Sequence, residues 1–243
     1  MSDPRKTAIV TGASQGIGAG IVKAFVERGF NVVANSRKVT QSTEVTASNR
    51  VALVDGHIGE PATAARVVQT ALDRFGSIDA LVNNAGIFFA KPFTDYTADD
   101  FRSLVSTNLE GFLYMTQLTV RQMLAQKTGG GSVVTITAAL AANPIAGVKA
   151  SVPMITKGGL DTITRHLAIE YAKDNIRMNA VAPGVAYTPL NRDTPQDVMK
   201  SHSPMGRPST VEDIVDAVMY LIDAPTVTGH ILYVDGGAHL GCW

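Results

Sequence analysis

The chain has 243 residues, 45% of them hydrophobic, and its 21 Lys and Arg balance 21 Asp and Glu to a formal net charge of +0. That composition supports a sizeable core and excludes a disordered chain. The neutral balance points away from a nucleic-acid or anionic-membrane partner. Cys242 is the only cysteine, which excludes an intrachain disulfide and a cysteine-rich zinc site and fits a reducing compartment. No metal site is expected. The opening MSDPRKTAIVTG (1–12) lacks the apolar run of a signal peptide, and no stretch approaches the roughly 20 apolar residues of a membrane helix. The expectation is a cytoplasmic protein of one domain over 1–243, with no membrane partner.

In chain order, β-branched apolar runs alternate with segments of helical period. TAIVTG (7–12) reads as the first strand, and TGASQGIG (11–18) as the turn after it. GIVKAFVERG (20–29) puts Ile21, Phe25 and Val26 on one stripe and ends on Gly29. NVVANS (31–36) and VALVD (51–55) read as strands. PATAARVVQTALDRFG (61–76) begins on Pro61 and closes on Gly76, the asymmetry expected of a helix. IDALVNNAG (78–86) is the next strand and 98–126 the next helix. TGGGS (128–132) makes a tight turn into the strand SVVTIT (132–137). A helix over 153–173, the strand IRMNAVAPG (176–184), a helix over 210–223 and the strand HILYVDGG (230–237) complete the order. Most strands carry apolar residues consecutively, as strands covered on both faces do. The predicted fold is α/β, a Rossmann-type doubly wound sheet of about seven parallel strands with helices on both faces. The proline-rich, polar stretch 185–209 is long for a connection and is expected to act as a substrate lid.

In the first turn, Gly12, Gly16 and Gly18 permit tight turning and close backbone approach. The helix that follows offers free N–H groups and the positive end of its dipole to phosphates. With a strand before it and a helix after it, the loop is expected to cradle a dinucleotide through Gly12, Ser14, Gln15, Gly16, Ile17 and Gly18. Its spacing, T-G-x-x-x-G-x-G, resembles that of the short-chain dehydrogenase/reductase family. NNAG (83–86), TNLEG (107–111) and RMNAVAPGVAYTPL (177–190) extend the resemblance over nearly the whole chain. It implies that Asn84, Ala85 and Gly86 lie under the adenosine and that Asn108 is the family's catalytic asparagine. It also implies that Pro183, Gly184 and Thr188 hold the nicotinamide end. At the end of the second strand, Ser36 occupies the position of the family's acidic residue, followed by Arg37 and Lys38. A carboxylate there would repel a 2′-phosphate, whereas a guanidinium can pair with one bidentately, so NADP(H) is favoured over NAD(H). The alternative is that Arg37 is a solvated loop residue. His57, beside Ile58, replaces an aspartate that contacts the adenine amino group. A neutral imidazole nitrogen can accept that bond and an imidazolium cannot; a plain surface histidine is the other reading.

The family moves hydride between carbonyl and alcohol and delivers the proton from a tyrosine four residues before a lysine, on one helix face. The ammonium lowers the phenol's pKa. By resemblance Lys157 is that lysine, which also binds the nicotinamide ribose. The tyrosine position is Pro153, and no tyrosine lies between Tyr114 and Tyr171. The family's serine falls on Ala138, or on Ala139 if the alignment slips. The resemblance is therefore to a divergent member that has lost both hydroxyls. Pro153 is expected at the first helical position, with Ser151 or its neighbour as the cap. Candidates for the proton are Ser151, Lys149, Tyr187, His202, Tyr96, or a water relayed from Lys157 and Asn108. Thr137 or Thr156 is a candidate for the substrate oxygen. Each of these side chains, like His166, also has an ordinary structural or solvent-facing reading. Two functions stay open: an NADP(H)-dependent oxidoreductase acting on a small carbonyl or alcohol with a nonstandard proton donor, or a catalytically silent NADP(H)-binding sensor or scaffold subunit. A fold kept for interaction alone is opposed by the three loop glycines. The expected pocket is small and largely apolar, lined by Ala138, Ala139, Ile145, Ser151, Pro153 and Tyr187. By resemblance the chain is a homo-oligomer, a tetramer built on the helices that hold Asn108 and Lys157.

Overall fold

Seven strands form one parallel sheet: β1 (Thr7–Thr11), β2 (Asn31–Ser36), β3 (Val51–Asp55), β4 (Ala80–Asn83), β5 (Gly131–Ile136), β6 (Ile176–Pro183) and β7 (Ile231–Val234). The computed structural model describes residues 5–126 and 129–241; Cys242 and Thr128 lie outside them. The strand order is β3-β2-β1-β4-β5-β6-β7. Val10 of β1 pairs with Ala34 on one side and Val82 on the other. The order therefore reverses between β1 and β4, and a crevice opens beyond their C-terminal ends, where α/β sheets bind ligands. Each strand is apolar on both faces because each face is covered. Helices α1 (Gly16–Glu27) and α7 (Val211–Asp223) cover one face, with Ile21, Phe25, Ile214 and Leu221 buried against Val10, Ala34 and Val134. On the other face, α2 (Pro61–Phe75), α4 (Gly111–Ala125) and α5 (Ser151–Glu170) bury Val67, Met115 and Ala168 against Ile9, Leu81 and Met178.

The local signals hold where caps were written into the sequence. Pro61 opens α2, and Gly76 closes it at φ 83, a left-handed conformation that glycine adopts without cost. Capping boxes Thr97–Asp100 and Thr210–Asp213 start α3 (Ala98–Leu104) and α7. The helix expected over 98–126 is not continuous: between α3 and α4 the turn widens to a π-helix over Val105–Glu110, which contains Asn108. Pro153 is also displaced from its expected place. The helix begins two residues earlier, so Pro153 is its third residue, and the cap is Ala150, with no side-chain bond. The missing proline N–H still falls in the first turn, where N–H groups have no intrahelical partner. Only a single 3-10 turn at Val39–Gln41 and a loop to Arg50 join β2 to β3, with Val39 and Val45 buried in the same cluster as Ile21 and Phe25. The stretch 185–209 carries two short helical pieces, Pro189–Asn191 and α6 (Gln196–Ser201). Its base is tied by Tyr187 N–H to Ser209 O (2.9 Å) and Ser209 N–H to Val185 O (3.1 Å).

Candidate functional site

The glycine loop hangs over the crevice, and its neighbours leave no room for side chains. Gly12 has φ 64, and a Cβ there would fall 2.8 Å from Ala85 Cα; one on Gly18 would fall 2.2 Å from Gly12 O. The NNAG segment braces the loop from below. Thr11 Oγ1 accepts the N–H of Asn84 (3.1 Å) and of Ala85 (3.0 Å), and Asn84 Nδ2 donates to the carbonyls of Thr11 and Gly12, both at 3.0 Å. The Asn84 amide is thus spent on holding the loop's shape.

The loop's capacity for an anion is visible in an intrachain contact. Gly16, at φ 56, donates its N–H to Glu44 Oε2 at 3.1 Å. Ser42 Oγ, two residues earlier, donates to Ser14 O at 2.6 Å. No acidic residue lies in the first turn of α1 itself, so this carboxylate from the β2–β3 loop stands where a phosphate oxygen would sit on the helix dipole. A Cβ on Gly16 would lie 3.0 Å from Pro189 Cδ and 3.9 Å from Thr188 Cβ, so the start of the 185–209 stretch packs directly on the glycine loop. The free amides of that loop, one of them already on a carboxylate, fit the phosphates of a dinucleotide.

At the adenosine end, Ser36 O accepts the N–H of Gly56 at 3.0 Å, while Arg37 and Lys38 are exposed and make no ion pair among the described residues. The nearest carboxylate in register, Asp55, is taken by the N–H (3.0 Å) and hydroxyl (2.6 Å) of Thr40, which hold it below the usual carboxylate range. His57 is engaged on both nitrogens: Nδ1 accepts the N–H of Gly59 (3.2 Å) and Nε2 lies 3.3 Å from Thr107 Oγ1. Since Nδ1 accepts, the neutral ring carries its proton on Nε2 and donates it to Thr107. Ile58 is buried against Gly111.

Deeper in the crevice, Asn108 and Lys157 converge on Gly86, where a Cβ would lie 3.3 Å from Asn108 Oδ1 and 3.2 Å from Lys157 Nζ. The π-turn aims Asn108 inward. Its Oδ1 accepts Ile87 N–H (2.9 Å), and its Nδ2 donates to Ile87 O (3.1 Å) and Thr156 Oγ1 (2.9 Å). Lys157 is buried and donates to Ile136 O at 2.8 Å. Burial pulls its pKa from 10.5 to about 8, with Asp161 one turn on opposing the shift. Burial in turn pushes Asp161 up, against the pull of Thr137, Arg165 and Lys157.

The candidates for the proton are mostly occupied elsewhere. Tyr96 donates to Phe89 O at 2.8 Å; Thr156, a candidate for the substrate oxygen, donates to Pro153 O at 2.8 Å. Thr137 is buried beside Asp161, Lys149, Ser151 and His166 are exposed, and Tyr187 is exposed at the lid base. His202 is half-buried at the end of α6. Of the expected pocket residues, Pro153 and Ala139 are buried and Ala138 and Ile145 half-buried. Sequence reasoning passed over one pair: Asp235 and His239, four residues apart after β7, are bonded side chain to side chain at 2.9 Å. The D-x-x-x-H spacing was the signal available. A concavity of about 290 Å³ also opens at the other end of the sheet, beside Asp79 and Arg177. Those two side chains are used on Thr7 N–H and on the carbonyls of Leu221 and Ile222.

A family model described as enoyl-(acyl carrier protein) reductase matches residues 12–239. A tropinone reductase homolog of Arabidopsis thaliana is 35% identical over 245 residues, covering 95% of this chain and 92% of the relative. The chain belongs to the short-chain dehydrogenase/reductase family. Membership places it among oxidoreductases. Solved family structures share the fold. The 3-ketoacyl-(acyl-carrier-protein) reductase of Brucella melitensis, complexed with NADH, superposes with a TM-score of 0.89 at 29% identity, over 96% of this chain and 98% of that one. ElxO with NADP bound does so with a TM-score of 0.86 at 25% identity, over 96% and 98%. Among the described residues no helix is long and apolar enough to cross a membrane.

Proposed function

We propose that this protein is an NADP(H)-dependent oxidoreductase acting on a small carbonyl or alcohol, in a site where Pro153 and Ala138 stand at the family's tyrosine and serine positions. The observation that carries this reading is the convergence of buried Lys157 and Asn108 on Gly86, beside a glycine loop whose Gly16 amide already holds a carboxylate. When bound, the nicotinamide supplies or takes up the hydride. The amides of Gly16 and Ile17 and the hydroxyl of Ser14 hold the pyrophosphate and adenosine side. Arg37 and Lys38, exposed and without an ion pair among the described residues, meet the 2′-phosphate, and Ser36 puts no carboxylate at the end of β2 to repel it. Ile58 and Ala85 line the adenosine wall, and Gly86 lies further in, against Lys157 and Asn108. Pro183, Gly184 and Thr188 hold the other end, and 185–209, which packs on the glycine loop through Thr188 and Pro189, closes over the substrate as a lid in a single domain. A cytoplasmic homotetramer is the assembly proposed: Leu113 and Leu124 on α4, and Ile155 and Ile169 on α5, are apolar, exposed and spaced to share a face of each helix.

Titration with NADPH and NADH, then stopped-flow mixing with a panel of ketones and aldehydes, tests the reading. NADPH is expected to bind about ten-fold or more tightly than NADH, as charge-assisted phosphate contacts do, and to be oxidised by at least one carbonyl. Equal affinities would sink the cofactor preference. Tight NADPH binding without turnover would favour the silent sensor or scaffold instead, a reading to which Pro153 lends weight.

A further inference from the structure

A histidine that the cofactor motifs leave unused stands beyond the end of β7, beside the Pro183–Gly184 turn. His239 lies in the turn Ala238–Leu240, directly after β7. Its Nδ1 is 2.9 Å from Oδ2 of Asp235, a side chain only 2% exposed. The same carboxylate accepts the N–H of His239 (2.7 Å) and, through Oδ1, that of Gly237 (3.0 Å). An ionised carboxylate only accepts, so Nδ1 carries a proton and Nε2 is left as the working position. The ring is fixed a second way. It stacks on Tyr233 with centroids 3.9 Å apart and planes 6° from parallel. The His239 side chain nonetheless stays 25% exposed, so a small molecule can reach it.

Its neighbours are walls of the cleft. Gly184 donates its N–H to Val234 O at 3.0 Å, and a Cβ on Gly184 would fall 2.8 Å from Asp235 Cβ, so the Pro183–Gly184 turn abuts the carboxylate. The turn carrying His239 packs on the turn Ala139–Ala141, which begins just after Ala138. The lid base closes a third side: Met205 N–H donates to Gly236 O at 3.3 Å, and Ser203 Oγ lies 2.3 Å from where a Gly236 Cβ would be. The charged and titratable groups around the pair are Asp235 and Tyr233 on the β7 side and Asp161 and Arg165 on α5; the Ala139–Ala141 turn offers none. Burial first, then Asp161 and Asp235, push the Tyr233 phenol up, leaving it as a neutral platform for the ring.

We propose that His239, oriented by Asp235, is the catalytic residue that gives a proton to the substrate oxygen in reduction and takes it back in oxidation, in place of the absent phenol. This rests on the oxidoreductase reading above. In reduction, the carbonyl carbon accepts a hydride, with its two electrons, from the reduced nicotinamide dinucleotide. The C=O π pair moves onto oxygen, and oxygen takes the proton on Nε2 of the imidazolium. The neutral ring keeps its Nδ1–H on Asp235 and is reprotonated from solvent at its exposed edge. The products are the alcohol and the oxidised dinucleotide.

The test compares wild type with His239→Gln and His239→Ala in NADPH-driven reduction of cyclohexanone, ethyl acetoacetate and benzaldehyde. NADPH affinity is followed separately by fluorescence, and the His239 ring-proton resonance by NMR, assigned from its loss in His239→Gln. The expected result is a fall in kcat of about 100-fold or more in both variants, the scale of general acid catalysis. NADPH affinity stays within about 2-fold, imidazole added to His239→Ala restores part of the rate, and the resonance moves when the product alcohol is added to the NADP-loaded wild type. Wild-type turnover with unchanged kcat in both variants overturns the assignment to His239 and leaves the oxidoreductase reading standing. A wild type that binds NADPH and reduces none of the three overturns both. Where both variants fail to fold, a wild type in which none of the five histidine ring resonances moves on adding the alcohol overturns the assignment by itself.

Discussion

The two ends of the crevice are built differently. At the nucleotide end, backbone dominates: glycines with no room for Cβ, a threonine and an asparagine spent on bracing, amides turned toward an anion. At the substrate end, side chains decide, and here Pro153 and Ala138 offer no proton while Asp235 and His239 pair behind them. A backbone cradle tolerates almost no substitution, because any Cβ strikes main chain. A proton donor needs only one reachable group, which different elements can supply.

The sharpest way to break the comparison is at Gly18. A Cβ there would sit 2.2 Å from Gly12 O and 2.9 Å from Ala13 Cα, main-chain atoms that cannot step aside without reshaping the loop. Gly18→Ala is expected to cost roughly 3 kcal/mol, or about 100-fold in NADPH affinity, measured by fluorescence titration. Near-normal binding by this variant would mean that the nucleotide end is no more rigid than the substrate end.

Lys157 joins the two ends and gives the comparison a pH dependence. Its pKa falls from 10.5 to about 8 because burial penalises the ammonium. Between those values the unfolded chain binds more protons than the folded one, so this residue's contribution to stability rises with pH across that window. The penalty is fully present below about pH 8 and lifted above about 10.5. At about 1.4 kcal/mol per pH unit it amounts to roughly 3 kcal/mol. Relative to Lys157→Met, wild type should therefore gain stability from pH 8 to pH 10 in urea melts. A pH-independent gap between the two would show that the ammonium is not desolvated as the burial implies.

At the substrate end, a phenol placed at position 153 should fail to speed the reaction. Pro153 is buried as the third residue of α5, with its carbonyl already accepting the Thr156 hydroxyl at 2.8 Å. Pro153→Tyr would overpack that site, at a cost of roughly 1–3 kcal/mol, and is expected to leave carbonyl reduction no faster than wild type. A rate increase in this variant would show that a phenol at position 153 can serve as the proton donor and that His239 is not needed for it.

How much of this was legible in the sequence follows the same division. The sheet, its parallel order and the loop glycines could be read because helix-end signals, periodicity and a short motif act locally; Pro61 with Gly76 is such a signal. The π-turn was not, since the segment 98–126 has one unbroken helical period and the widening is set by Asn108 reaching Ile87 and Thr156. Pro153 was placed at the helix start on propensity alone, whereas packing carries the helix two residues further back. The Asp235–His239 pair was missed because its meaning depends on what surrounds it: the Gly184 turn, the lid base and the Ala139–Ala141 turn come from three distant parts of the chain. Glu44 escaped for the same reason, 28 residues away from the amide it holds.

That last contact offers the finest test of the nucleotide end. Glu44 is exposed, and its Oε2 sits on the Gly16 N–H at the positive end of α1. A dinucleotide phosphate would have to displace it or share the amide with a like charge. Glu44→Gln keeps an oxygen for the amide but removes the charge, so the competing interaction weakens while the loop keeps its shape. Interactions of a charge with a helix terminus at the surface are worth tenths of a kcal/mol to about 1, so NADPH and NADH should each bind about 2- to 5-fold more tightly. The gain should shrink at high salt, which screens exposed charges. Weaker binding by Glu44→Gln would mean instead that the carboxylate holds the loop open for the nucleotide, making Glu44 part of the cradle and extending the backbone-built end of the crevice onto the β2–β3 loop.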